Sequence, residues 1–164
     1  MEYTLDKMTA ADWEAVREIY LEGIDTGNAT IEIAAPDWDE WNANHRPDCR
    51  LVARSGGKVL AWAVLSPISQ RQAYSGVAEE SIYVAASARG TGIGKALLTA
   101  LIEESEQAGI WSLQAGIFPE NTASIELHKG VGFREIGFQE GKGFLDGVWR
   151  DVVLLERRSE VVGV

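Results

Sequence analysis

One stretch constrains this chain more than any other: Arg89-Gly90-Thr91-Gly92-Ile93-Gly94-Lys95-Ala96-Leu97-Leu98. It follows a strand-like run, Ser81-Ile82-Tyr83-Val84, and opens a helix-like one in which Ile93, Ala96, Leu97, Ala100 and Leu101 recur at helical spacing. A fold that contains it must pass from strand to loop to helix in a few residues. Glycines at alternate positions leave backbone N–H groups uncovered, where a turn alone needs one or two. The helix start adds free N–H groups and the positive end of its dipole. Together they make a seat for a pyrophosphate.

Two well-known glycine loops do not match. A dinucleotide fingerprint, G-x-G-x-x-G, needs its third glycine where Lys95 stands, and it lies near the start of an alternating β-α array. A Walker loop needs Ser or Thr after Gly-Lys to place a hydroxyl on magnesium, and Gly94-Lys95 is followed by Ala96.

The periodicities around the loop predict the rest of the fold. Residues 2–7 read as a first strand, and Thr9 with Asp12 as a capping box. Trp13, Val16, Ile19 and Tyr20 share one face of the helix that follows, which ends near Gly23 or Gly27. A loop from Asn28 to Pro36 leads to a shorter helix from Asp37 to about His45-Arg46-Pro47. Arg50–Arg54 and Val59–Leu65 read as strands about a Ser55-Gly56-Gly57-Lys58 hairpin, the second apolar enough for both faces to be buried. An irregular stretch, 67–74, precedes a strand from Val77 to Val84. After the glycine-loop helix come a strand from Ile110 to Phe118, a helix capped by Asn121 and running through Lys129, and strands at Gly132–Phe138 and Val148–Leu155 about a glycine-rich turn. The order β-α-α-β-β-β-α-β-α-β-β predicts an α+β fold in one domain, residues 1–164, with a mixed, twisted sheet and helices on both faces.

Composition excludes several function classes. The 164 residues are 46% hydrophobic, enough for a real core, and carry a formal net charge of −10. Nucleic acid is not an expected partner, because phosphate contacts need clustered Lys and Arg. The one cysteine, Cys49, allows no intrachain disulfide, which suits a reducing cytoplasm. The start Met-Glu-Tyr-Thr-Leu-Asp has neither a basic nor an apolar leader region, and no apolar run is long enough for a membrane span. His45 and His128 have no ligand-like spacing, so no metal is expected. Trp38, Trp41 and Trp62 are expected in the core.

What remains after the two exclusions, Arg-x-x-Gly-x-Gly after a strand, resembles the acyl-CoA loop of the GNAT superfamily of N-acyltransferases. The later Asn-x-x-Ser helix and Gly132-Phe133 strengthen the likeness. Longer strings resemble one branch, the phosphinothricin and methionine sulfone (sulfoximine) acetyltransferases. They are Ala73-Tyr74-x-Gly76-Val77-Ala78-Glu79, Phe118-Pro119-Glu120-Asn121-x-x-Ser124-x-x-Leu127-His128 and Trp149-Arg150-Asp151-Val152. The resemblance runs from about residue 3 to 158. It implies about seven strands and four helices, with the sheet splayed beside the acyl-CoA. It implies acetyl transfer from acetyl-CoA to the α-amino group of a small amino-acid analogue, in a homodimer. The donor would be held by Ile82, Tyr83 and Val84, by Arg89, Gly90, Thr91, Gly92, Ile93, Gly94 and Lys95, and by Asn121 and Ser124. The acceptor would meet Thr30, Ile31, Glu32, Arg71 and Tyr74, partly across a subunit boundary. Arg71 would fork onto a substrate carboxylate or phosphinate. Related chains often carry Phe where Ile31 stands.

The chemistry asks for a base, since an amine attacks a thioester only when neutral. Strand alternation puts Glu79, Ser81 and Tyr83 on one face and Glu80, Ile82 and Val84 on the other. Ile82 and Val84 belong to the core, which leaves Glu79 for a polar cleft, and the family pattern Val-Ala-Glu points to the same residue. Glu80 stays an alternative. Asn121, Ser124 and His128 share one helix face. His128 stands where most GNAT enzymes have Tyr, and imidazole there can act as acid, as relay or as a helix-end residue. A protein N-terminal or polyamine acetyltransferase and a non-catalytic acyl-CoA sensor are the competing functions.

Overall fold

The computed structural model describes residues 1–164. Its centre is a seven-stranded sheet in the order β1-β2-β3-β4-β5-β7-β6. The strands are β1 (Thr4–Lys7), β2 (Leu51–Ser55), β3 (Lys58–Pro67), β4 (Val77–Val84), β5 (Ser112–Ile117), β6 (Arg134–Leu145) and β7 (Val148–Arg158). The helices are α1 (Trp13–Asp25), α2 (Trp38–Asn44), α3 (Ile93–Gln107) and α4 (Thr122–Gly130). Neighbouring strands run antiparallel except β4 and β5, which are parallel because α3 carries the chain across between them. No helix is long and apolar enough to cross a membrane.

The apolar run of β3 is buried throughout from Val59 to Leu65, and alternate residues serve different cores. Trp62 and Val64 face α1 and α2, packing with Val16, Ile19 and Trp41. Ala61, Ala63 and Leu65 face α3, packing with Leu97, Leu98 and Leu101. Of the three tryptophans expected in the core, Trp41 and Trp62 are buried, and Trp38 is half-buried against them, stacked on Trp41 with ring centroids 5.9 Å apart. Asp12 accepts from the Thr9 backbone N–H at 2.9 Å, as the capping box requires, and also grips Arg54 of β2 through two contacts of 2.6 and 3.0 Å. Cys49 is buried, and loss of water pushes its thiol up to about 11, so it is inert.

The last hairpin differs from expectation. β6 does not end at Phe138 but runs to Leu145, through the residues read as a glycine-rich turn. Register shifts at Glu135/Gly137 and Gln139/Gly143 absorb the extra residues as bulges. The Asp151 carboxylate accepts the Gly141 N–H at 2.7 Å and holds the second bulge. The turn itself is Asp146-Gly147, with φ of 48° and 78°, the pairing a two-residue hairpin favours.

Candidate active site

The site begins where β4 and β5 part. They pair only at Val77–Ser112, Ala78–Leu113 and Glu79–Gln114. Beyond Glu79, β4 stays with β3 as far as Val84–Ala61, while β5 follows β7 to Ile117–Val153. A cleft of about 900 Å³ opens between them, and the β5-facing edge of Ser81 to Val84 forms one wall. The expected splay is therefore present, and Ile82, Tyr83 and Val84 line it.

At one end of the cleft the glycine loop enters α3. Gly90 and Gly92 have φ of 75° and 85°, and Gly92 caps the helix in the left-handed conformation. The first helical bond there is Ala96 N–H to Gly92 O at 3.2 Å, so the amides of Ile93, Gly94 and Lys95 precede the ladder. Gly94 packs close to Val84 and Leu127, where an added Cβ would lie 3.4 and 3.5 Å away. Arg89, Gly90, Gly92, Ile93, Gly94 and Lys95 all line the cleft. Thr91 does not: its hydroxyl donates to the Ala88 carbonyl at 2.6 Å and tightens the loop. These amides, two cations and a helix start suit a diphosphate.

The middle of the cleft holds the titratable groups. Glu79 is exposed on the cleft wall. Partial loss of water, then the neighbouring Glu80 charge, push its carboxyl above the usual carboxylate range, and Lys142 draws it partly back. Glu80 points to the other face of β4, as the alternation requires, but it does not meet only apolar residues there. α4 brings His128 onto it, and Nε2 of His128 contacts Oε1 of Glu80 with both side chains almost wholly buried. Nδ1 of His128 donates to the Ser124 carbonyl at 2.6 Å. Burial pulls His128 down, but the Glu80 charge and hydrogen bond and the Ser124 carbonyl outweigh it, leaving the imidazole above its ordinary value. The Asn121 side chain caps α4, accepting from the Ser124 N–H at 3.3 Å, and Asn121 and Ser124 both line the cleft.

The far end is closed by the loop after α1. Thr30 and Ile31 line the cleft there, and Glu32 follows just outside its lining. Arg71 and Tyr74 do not reach it. They sit on an exposed turn before β4, Arg71 as its N-cap and Tyr74 half exposed, so a single chain places neither beside Glu79. Three residues outside the expected site set complete this end. Lys142 and Gly143, on the bulge of β6, face Ile31 and Glu79. Arg150 of β7 donates to the Gly27 carbonyl at 2.7 Å and to the Asn28 side chain at 2.8 Å, and lies 4.1 Å over the Phe118 ring. It ties the loop after α1 to the end of β5. The Trp-Arg-Asp-Val string marked the residue, but nothing local revealed its reach.

A mixed sheet that opens between two parallel strands beside a glycine loop defines a class of acyl-CoA-dependent transferases. The family model for the GNAT acetyltransferases matches residues 13–133, and the chain belongs to that family as an acetyl-CoA-dependent N-acetyltransferase. Phosphinothricin N-acetyltransferase of Alcaligenes faecalis is 37% identical over 89% of this chain and 77% of its own length. The L-methionine sulfoximine/L-methionine sulfone acetyltransferase of Pseudomonas aeruginosa is 29% identical over 89% of this chain and 88% of its own. Among solved structures, a GNAT superfamily phosphinothricin acetyltransferase from Sinorhizobium meliloti in complex with acetyl-CoA superposes with a TM-score of 0.85 at 32% identity, over 99% of this chain and 96% of that one.

Proposed function

We propose that this enzyme moves acetyl from acetyl-CoA to the α-amino group of a small amino-acid analogue of the phosphinothricin, methionine sulfone or methionine sulfoximine kind. One observation carries the reading. A single cleft is lined by the glycine loop, the open edge of β4, Glu79, Thr30 and Ile31. The relatives' activities agree with an acceptor of that size.

In this mechanism the loop amides and Arg89 hold the pyrophosphate, and the open β4 edge pairs with the pantetheine amides. Asn121 adds a side-chain contact. Glu79 takes the proton of the bound ammonium, directly or through water, and its raised pKa suits that task. The neutral amine attacks the thioester carbonyl, which a cleft-facing backbone N–H of the splayed strand, on Ile82 or Val84 next to Tyr83, polarises. His128 supplies the proton for the departing thiolate, with Ser124 beside the sulfur. Holding the two reactants in register contributes several kcal/mol of the acceleration by itself, of order 7 or more in favourable cases.

The acceptor's acidic group calls for cations; one chain brings Lys142 to Glu79 but leaves Arg71 outside the cleft. The exposed apolar residues of the β6–β7 edge, Phe138, Phe144, Val148 and Trp149, suit a second copy of the chain, whose Arg71 and Tyr74 would complete the site. The working unit is then a cytoplasmic homodimer of one-domain chains, residues 1–164.

Thiol release from acetyl-CoA tests the reading, scanned over phosphinothricin, methionine sulfone, methionine sulfoximine, polyamines and a peptide with a free N-terminus. Release with the amino-acid analogues alone supports it. Release only with the peptide or a polyamine overturns the acceptor class. Tight CoA binding with no release for any amine marks a sensor.

A further inference from the structure

The mechanism above leaves Glu80 unused, although it is the acidic residue buried beside His128. Its side chain is 1% exposed, and that of His128 is 2% exposed. A buried carboxylate with no partner is costly, so the pair must be understood as a unit. Hydrogen-bond accounting fixes its composition. Nδ1 of His128 lies 2.6 Å from the Ser124 carbonyl, which can only accept, so Nδ1 carries a proton. The contact between Nε2 and Glu80 Oε1 then needs one more proton, on one atom or the other. Loss of water disfavours the protonated imidazole, but the Glu80 charge and hydrogen bond, with the Ser124 carbonyl, outweigh it, so that proton resides on Nε2. The second carboxylate oxygen, Oε2, is buried without a hydrogen-bond partner in the protein, so its charge is answered chiefly by the imidazolium.

The surroundings offer no competing counter-charge. β4 contributes Glu80 in contact and Glu79 beside it, and β6 contributes Lys142, whose charge acts on Glu79. Arg89 and Lys95 lie at the glycine-loop end of the cleft. Lys129, on α4 itself, is engaged with Glu135 at 2.9 Å. From the turn after α4 comes only the Phe133 ring, edge-on to the imidazole at 5.0 Å between centroids.

We propose that Glu80 is a positioning residue that holds His128 as an imidazolium and keeps the proton on Nε2, so that the proton free to leave is the one on Nδ1, beside the Ser124 hydroxyl. This rests on the acetyl-transfer reading above and deepens it. The Ser124 Oγ lies 3.4 Å from Nδ1 and lines the cleft. As the C–S bond breaks, Ser124 gives its hydroxyl proton to the sulfur, and the Nδ1 proton leaves its hydrogen bond with the Ser124 carbonyl for the Ser124 hydroxyl oxygen. An S–H bond forms, the Nδ1–H bond breaks, and His128 is left neutral with Nε2–H on the Glu80 carboxylate. The ammonium loses two protons on becoming an amide; one balances the proton taken by the thiol, passing back to His128 through Glu79 and solvent, and the other leaves to solvent.

With only two histidines in the chain, ¹⁵N NMR of the ligand-free enzyme reads the pair directly, and a His45→Gln variant assigns the signals. The expected result is an imidazolium at His128 at about pH 7, where a free histidine is mostly neutral. In Glu80→Gln the His128 midpoint should fall by about one pH unit or more. The same variant should lose about 10-fold or more in kcat, with KM for acetyl-CoA within about 2-fold, and Glu80→Asp should regain part of the loss. A neutral His128 in the unaltered enzyme overturns the proposal, and that measurement needs no variant to fold. An unmoved midpoint or an unchanged kcat in folded Glu80→Gln overturns it too. These outcomes are separate from the acceptor scan: thiol release with a neutral His128 would sink this role and leave the acetyl-transfer reading standing.

Discussion

Gly143 gives the sharpest test of where the acceptor sits. Its backbone lies outside the left-handed region, so alanine meets no backbone strain there. The added methyl does meet a neighbour, landing 2.8 Å from Cδ1 and 3.1 Å from Cγ1 of Ile31. Carbon atoms rest at about 3.5–4.0 Å, so the tip of Ile31 must retreat by about 1 Å. Ile31 is 41% exposed, which lets it turn aside while the sheet stays in place. An off-rotamer side chain costs about 0.5–1.5 kcal/mol, and the same displacement reshapes the surface facing Glu79. At about 1.4 kcal/mol per tenfold, Gly143→Ala should raise KM for the acceptor about 3- to 10-fold. KM for acetyl-CoA should stay within about 2-fold, because the loop amides that hold the donor lie at the other end of the cleft. Steady-state thiol release with each substrate varied in turn measures both. Ile31→Ala in the same chain removes the collision, so the double variant should show a coupling of about 0.5 kcal/mol or more. An unchanged acceptor KM, or an equal rise in both KM values, would refute the assignment of Ile31 and Gly143 to the acceptor end.

Other variants address other parts of the molecule. Glu79→Gln should lower kcat/KM by about 10²–10⁴-fold and flatten its acidic limb, which in the unaltered enzyme should lie above the usual carboxylate range because the Glu79 pKa is raised; an unchanged pH profile would exclude it as the base. Gly92→Ala forces a side chain into φ 85° at a strain of about 1–2 kcal/mol, so thermal stability should drop and KM for acetyl-CoA should rise. Arg150→Ala frees the Gly27–Asn28 loop and should raise acceptor KM with little change for acetyl-CoA, as titration of each substrate would show. Asp12→Asn should cost about 1–3 kcal/mol in denaturant unfolding by loosening Arg54. The Asp12 pKa is lowered by its hydrogen bond to Arg54, so its contribution is present above the unfolded value near 3.9 and lost as pH falls through the folded one; the variant should therefore be the less acid-sensitive chain.

The elements followed from local signals that compete with little else. The buried run of β3, the capped start of α4 and the Ser55–Lys58 hairpin each carry their own periodicity or turn chemistry, and they formed within a residue or two of expectation. The β6–β7 hairpin was harder, because glycines that mark a turn also mark bulges, and only pairing with β7 decides between them. In the site, strand alternation placed Glu79 and Glu80 on opposite faces of β4. It carried no information about what the core face holds. Sharing a face with Ile82 and Val84 argued for apolar company, whereas α4 delivers His128 to Glu80 from 48 residues away. The contacts of Lys142 and of Arg150, which the Trp-Arg-Asp-Val string marked, were not legible for the same reason, since their partners, Glu79 and the Gly27–Asn28 loop, lie far off in sequence. Arg71 and Tyr74 follow the family pattern in sequence, yet the fold of one chain leaves them outside its cleft.

The unpaired edge of β4 has a further consequence for how chains meet one another. An open strand edge at the rim of a sheet is a template on which other chains can add, and natural sheets protect it with charges, bulges or short length. Here the bare amides and carbonyls of Ile82 and Val84 lie in the interior of the sheet, flanked by β3 on one side and by the diverging β5 on the other. Neighbouring strands stand about 4.8 Å apart, so a gap that narrows to normal pairing at Glu79 admits a thin linear molecule and turns away a second polypeptide strand with its side chains. The fold thus keeps a reactive stretch of backbone permanently available to a small ligand without offering it to aggregation.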